Sequence, residues 1–127
     1  MRFIAYFVIL NQLILLSGCD SKQPAMQSVH GKSEEFWKRE LKRAEAKNRI
    51  TAIKALQTVG GADPSAILAI SSALSDKDAK VRDAAALALL NIGPAATGAV
   101  DDLTKSKGDK DATVRKHADE ALKHIRE

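Results

Sequence analysis

The fold this sequence predicts is all-α: a short solenoid of three repeats, each a pair of helices. Three observations carry that reading. The segments AKNRITAIKALQTVG from Ala46, AKVRDAAALALLNIG from Ala79 and ATVRKHADEALKHIR from Ala112 superpose at a constant offset of 33 residues. A fixed period of this length marks units that cannot bury their apolar face alone and must stack. Within a unit, Ala52, Ala55, Leu56 and Val59 fall at i, i+3, i+4 and i+7, one face of a helix. Turn and cap residues recur at matching places, so each unit divides into two helices.

Taken in order, the first helices span about residues 33–44, 65–74 and 95–105, and the second about 47–59, 79–92 and 112–125. Arg49, Arg82 and Arg115 coincide in the superposition, as do Ala52, Ala85 and Ala118. Leu56, Leu89 and Leu122 coincide too, followed by Val59, Ile92 and Ile125. Trp37, Ile70 and Leu103 share one position in the first helices, whereas Leu41 and Leu74 are matched by Lys107. Gly60-Gly61 stops a helix, and Asp63-Pro64 then supplies an N-cap oxygen and a proline at the first helical position. Gly93-Pro94 repeats the device, and Asp78 and Asp111 stand where they cap the second helices. The repeats run about 33–61, 62–93 and 94–127. In the last, Asp119, Glu120 and Lys123 replace Ala86, Leu87 and Leu90, as a terminal helix facing water requires.

The stretch ALSDKDAKVRDAAALALLNIG resembles HEAT repeats, in particular the short bacterial kind described as phycobilisome-lyase-like. The resemblance covers residues 33–127 and implies a right-handed α-solenoid of three two-helix HEAT-like repeats. It also implies a ladder of turn aspartates with arginines six residues on: Asp76 with Arg82 and Asp109 with Arg115. Arg43 stands where the first repeat would have its aspartate. Arg49 then lacks a partner of its own and has Asp76 of the next repeat within reach.

The start of the chain is a different object. One basic residue, Arg2, precedes the 14-residue apolar run FIAYFVILNQLILL. A membrane-spanning helix needs about 20 apolar residues, so this run reads as an export signal. LSGC at 16–19 resembles the lipobox of bacterial lipoproteins. That resemblance implies cleavage after residue 18, a diacylglycerol thioether on Cys19 and a palmitate-type acyl chain on the new amino terminus. Stable anchoring takes at least two lipid signals, which such a Cys19 supplies. A plain signal peptide and a buried free thiol are the alternatives; Cys19 is the one cysteine and has no disulfide partner within the chain. Asp20 resembles the inner-membrane retention signal of enterobacterial lipoproteins. Residues 19–32, with Pro24, Gly31 and small polar residues, read as the lipidated cysteine and a flexible linker. The expected location is the extracytoplasmic side of a membrane, the inner one in a Gram-negative host.

Composition narrows the function. The net charge is +4, and the basic excess lies in the first repeat. Aromatic residues are confined to the first 37 positions, so the repeats carry no base-stacking platform. Nucleic acid is therefore not the expected partner of an exported chain. No phosphate-binding loop and no supportable nucleophile–base set is present, so no catalytic residue and no cofactor is assigned. His117, Glu120 and His124, at i, i+3 and i+7, share a helix face, but metal sites need further ligands and a second shell. Deoxyhypusine hydroxylase, a HEAT-like metal enzyme, uses His-Glu dipeptides on several repeats, and this chain has none; a solvated polar face is the better reading and no metal is assigned. Around EEFWKRELKRAEAKNR, the stripe Phe36, Trp37, Leu41 and Ala44 caps the first repeat, leaving Lys38, Arg39, Lys42 and Arg43 to water or to anionic lipid. On the concave side the second helices expose Lys54, Thr58, Asp83, Leu87, Asn91, Lys116, Glu120 and His124, the expected partner-binding set. Leu87 and Leu90 are either inter-repeat packing or a hydrophobic contact patch. The resulting expectation is a lipid-anchored, non-catalytic adaptor for one or more envelope proteins. The alternatives are a module reading anionic lipid and, more remotely, a lyase-like or metal-dependent enzyme.

Overall fold

The computed structural model describes residues 31–127, and the expected export signal, Cys19 and the expected linker up to residue 30 lie outside them. The elements are α1 (Glu34–Glu40), α2 (Ala46–Gly60), α3 (Pro64–Ser72) with a 3-10 turn (Ala73–Ser75), α4 (Ala79–Ile92), a 3-10 stretch (Gly93–Ala99), α5 (Val100–Ser106) and α6 (Ala112–Arg126). The second helices α2, α4 and α6 stack on one another through the most extensive contacts in the molecule. Each of α1, α3 and α5 packs on the second helix of its own repeat, which gives the two layers of an all-α solenoid.

The repeat pattern explains the packing. Ala52, Ala85 and Ala118 are each 0 % exposed, because only a methyl group fits where neighbouring helices approach this closely. Leu56, Leu89 and Leu122 fill the space between the layers, and Trp37, Ile70 and Leu103 meet them from the first helices. Each such leucine is worth about 1.5–3 kcal/mol on burial. Ser33, Asp63, Asp78 and Asp111 cap their helices through the side chain, Asp63 with Pro64 following at the first helical position. The Asp63 carboxyl is held down at about 2 by hydrogen bonding with Glu34 and then with Ser65, and the Ser65 hydroxyl donates to Glu34 Oε1 at 2.8 Å, which ties the capping turn of α3 to α1.

Two elements depart from the sequence expectation. The first helix ends at Glu40 instead of near residue 44. After Leu41, the Lys42 and Arg43 amides bond three residues back, to Arg39 and Glu40 at 3.0 and 3.1 Å, and the tightened turn stops the helix. The first helix of the last repeat begins at Val100, because residues 93–99 form a 3-10 stretch kinked at Ala96 (φ −80°, ψ 28°). The sequence there, Gly93 to Ala99, holds a proline, two glycines and a threonine, poor helix formers that let the tighter winding prevail.

The two glycines expected to end second helices do different work. Gly93 closes α4 at φ 70°, a conformation disfavoured for residues with a side chain. Gly60 stays inside α2; a Cβ there would lie 2.5 Å from Ile92 Cδ1, so its role is close approach. The stretch Ala79–Ser106 has the length and mean hydropathy (1.3) of a membrane-crossing helix. The break at Gly93 instead folds it into the second helix of one repeat and the first of the next.

Candidate functional site

A ladder of arginines sets the spacing between the repeats. Arg49 Nε and Nη2 donate to Asp76 Oδ2 and Oδ1 at 2.8 and 2.9 Å, and Nη1 donates to the carbonyls of Arg43 and Ala44 at 2.8 and 2.7 Å. Arg82 repeats this one unit on, with Asp109 at 2.8 and 3.1 Å and the carbonyls of Asp76 and Lys77 at 2.8 and 3.4 Å. Both arginines are buried, 5 % and 6 % exposed. This corrects the pairing expected within each repeat. The carboxylate partner of an arginine lies 27 residues ahead, in the next repeat, and the residue six back contributes its carbonyl. The guanidinium fork explains the choice: its Nε–Nη2 edge grips a carboxylate bidentately while Nη1 seals the turn. Arg115 keeps only the second half, bonding the carbonyls of Asp109 and Lys110 at 2.7 and 3.1 Å, and is exposed. Burial disfavours the charged forms of Asp76 and Asp109. The arginine hydrogen bonds and the amides of Asp78 and Asp111 outweigh it and hold both carboxyls below the ordinary value.

With the spacing fixed, α2 and α4 leave a groove of about 470 Å³ between them on the side away from the first helices. Ile50, Lys54 and Gln57 line it from α2, and Lys80, Asp83, Ala84, Leu87 and Asn91 from α4. Both sets follow helical spacing, so each is one face of its helix. Ile50, Ala84 and Leu87 make an apolar floor, with Leu87 39 % exposed. Lys54 and Lys80 stand at its sides, both exposed. Lys80 and Asp83 also wall a smaller hollow of about 130 Å³, completed by Ala79, Asp111 and Thr113, so the concave surface continues toward α6. Asp83 is not free to serve as an acceptor at will: His117 Nδ1 lies 2.7 Å from its Oδ1, a contact between the second and third repeats.

Of the residues expected on the concave side, Lys54, Asp83, Leu87 and Asn91 come together in the groove. Thr58 is exposed on α2 but outside it, its hydroxyl donating to the Lys54 carbonyl at 3.4 Å. Lys116, Glu120 and His124 lie on α6, one layer further on. His124 Nδ1 donates to the Leu90 carbonyl at 3.2 Å and its ring lies against Gly93, covering the end of α4. His117 and His124 thus both engage α4 through Nδ1, and among the described residues no group of three or more ligand-type side chains is arranged to hold a metal ion. Leu87 and Leu90, expected to act together, divide: Leu90 packs against the core, and Leu87 is open in the groove. Sequence reasoning missed Ile50, Gln57, Lys80 and Ala84. The signal was present, since Ile50 is the repeat equivalent of Asp83 and shares a face with Lys54 and Gln57.

The basic first repeat is partly neutralised by its own carboxylates. Lys38 pairs with Glu34 and Glu35 and reaches the Ser65 hydroxyl, and Arg43 pairs with Glu40 at 2.9 Å. Its Glu34 hydrogen bond, above all, raises the Lys38 pKa against the effect of burial. Arg39 lies over the Phe36 ring and Lys42 is exposed. Phe36 meets Trp37 edge to face at 5.0 Å, and Trp37 is part of the core. Ala44, assigned to the same stripe, is exposed in the turn after α1.

The family model for HEAT repeats matches residues 34–125, which take in all six helices but for the last residue of α6, and both rungs of the ladder. No curated protein matches the chain. The match extends over well more than half of the sequence and agrees with the observed stack of helix pairs. The chain belongs to the HEAT-repeat family.

Proposed function

We propose that this protein is a lipid-anchored adaptor of the bacterial envelope, tethered through Cys19 and binding a partner protein in the groove between α2 and α4. HEAT repeats serve as protein-interaction scaffolds, and the observation that carries the reading here is the groove itself. An apolar floor of Ile50, Ala84 and Leu87 between Lys54 and Lys80 suits an apolar side chain flanked by carboxylates. The stacking of repeats creates the extended concave surfaces with which such solenoids bind their partners. The groove rests on helices locked by the ladder, so it is preorganised and little ordering is needed on binding. Anionic lipid has less support, because Lys38 and Arg43 are already paired with carboxylates of their own helix and turn.

The test separates anchor from groove. Membrane fractionation of Cys19→Ala cells should move the protein from the membrane to the soluble fraction. Affinity capture with Leu87→Asp should lose the envelope partner while the variant stays on the membrane. A partner retained by Leu87→Asp, or membrane association unchanged by Cys19→Ala, overturns the corresponding half of the proposal.

A further inference from the structure

The groove between α2 and α4 carries a charge pattern of its own above the apolar floor. Residues 46–60 and 79–92, the helices that form it, contain one carboxylate, Asp83, against Lys47, Arg49, Lys54, Lys80 and Arg82. Arg49 and Arg82 are engaged by the ladder aspartates. Asp83 is held by His117 of the third repeat, whose Nδ1 lies 2.7 Å from its Oδ1. Lys54 and Lys80 stand on opposite walls, exposed, and among the described residues neither ammonium group meets an acceptor. Lys38, Lys105 and Lys123, elsewhere on the molecule, do find carboxylates. The charge left open in the groove is therefore positive on both sides.

The spacing of the two lysines selects the form of the occupant. Lys80 is the repeat equivalent of Lys47, seven residues before Lys54. On helices stacked in that register, seven residues are about 10.5 Å of rise. A helix laid along the groove presents positions i and i+7 on one side at the same rise. An extended chain offers one face only every second residue, at about 6.7 or 13 Å, and neither distance fits. Residues i+3 and i+4 of such a helix fall at the levels of Ile50 and Ala84, and Leu87 is level with Lys54. We infer, resting on the adaptor role proposed above, that the groove takes one face of an acidic amphipathic helix of the partner protein. Its carboxylates, seven residues apart, pair with Lys80 and Lys54, and its apolar residues between them cover the floor. His117, by holding Asp83, keeps the one carboxylate of the groove from opposing them.

The experiment uses the full-length chain in its own cells, with a photo-cross-linking residue at position 91. Irradiation gives a discrete protein adduct, and mass spectrometry places the cross-link beside a segment with Asp or Glu at i and i+7 and apolar residues between. Lys54→Glu combined with Lys80→Glu lowers that adduct by about tenfold or more, because like charges then face each other across the interface. Changing the two partner carboxylates to lysine restores the adduct in that variant, which also shows the variant to be folded. An adduct on a segment without the carboxylate pair, one that survives the double charge reversal, or one that the reciprocal change fails to restore overturns the inference and leaves the adaptor role standing. No adduct, or an adduct with lipid alone, overturns both.

Discussion

Replacing Arg82 by alanine should destabilise the solenoid far more than the same change at Arg115, although the two occupy equivalent positions. The Arg82 side chain is 8 % exposed and its Asp109 partner 11 %. Truncation removes four hydrogen bonds and leaves a carboxylate without its counter-charge at a repeat boundary. Breaking a buried pair by removing one member costs about 3–5 kcal/mol. The pair lies at the edge of the stack, with some access to water, so the lower end, about 3 kcal/mol, applies. Total stability for a domain of this size is about 5–14 kcal/mol, so the variant stays folded but loses a large fraction of it. In a domain of under 100 residues that corresponds to a fall in Tm of about 12 °C or more. Arg115 forms only two carbonyl bonds on an exposed side chain, and Arg115→Ala should cost about 1 kcal/mol or less. Urea unfolding followed by circular dichroism gives both numbers. A double-mutant cycle of Arg82→Ala with Asp109→Ala should return a coupling of about 2 kcal/mol. Equal losses at Arg82 and Arg115, or a coupling under about 0.5 kcal/mol, would refute the assignment of the ladder to inter-repeat bonding.

Three further outcomes follow from the same structure. Asp76 and Asp109 titrate below the ordinary carboxyl value of 3.8 in the folded chain. Their contribution is therefore complete above about pH 5 and is lost as the pH falls through about 4 and into the depressed range; the urea midpoint should drop there, and Asp109→Asn should show a shallower acid limb. Gly93→Ala should cost about 1–3 kcal/mol, because an alanine is forced to positive φ, measurable as a shifted denaturation midpoint. Trp37→Ala should cost about 3–5 kcal/mol and loosen α1 first, seen as early hydrogen exchange at residues 34–41 while α4 and α6 remain protected.

The amount legible in the sequence tracks how local the physics is. Second helices were readable because capping aspartates, a 33-residue offset and a 3.6-residue apolar face all act within one turn or one repeat. The start of the last first helix was not, since Gly93-Pro94 signals a turn and a helix start alike, and only packing decides that the chain winds as 3-10 up to Ala99. Ladder direction was ambiguous for a similar reason. An arginine six residues after an aspartate touches that residue in any case, through its carbonyl, and the carboxylate it pairs with is set by how the next repeat stacks. The groove was half legible: repeat register and periodicity put Ile50 and Asp83 on matching faces of α2 and α4, but Lys80 joins them only once the distance between the two helices is known. His117 and His124 share a face as a metal pair would. Their Nδ1 atoms turn to α4 because a carboxylate and a helix-end carbonyl lie within reach there.

The most direct test of the account is a photo-cross-linking residue placed in the full-length chain in its own cells, at Leu87 in the groove and, separately, at Leu68, which is 58 % exposed on α3. The account predicts one discrete protein adduct from position 87, none from position 68, and loss of the adduct when Cys19→Ser releases the chain from the membrane. The same adducts from both positions, or none from position 87, would contradict it.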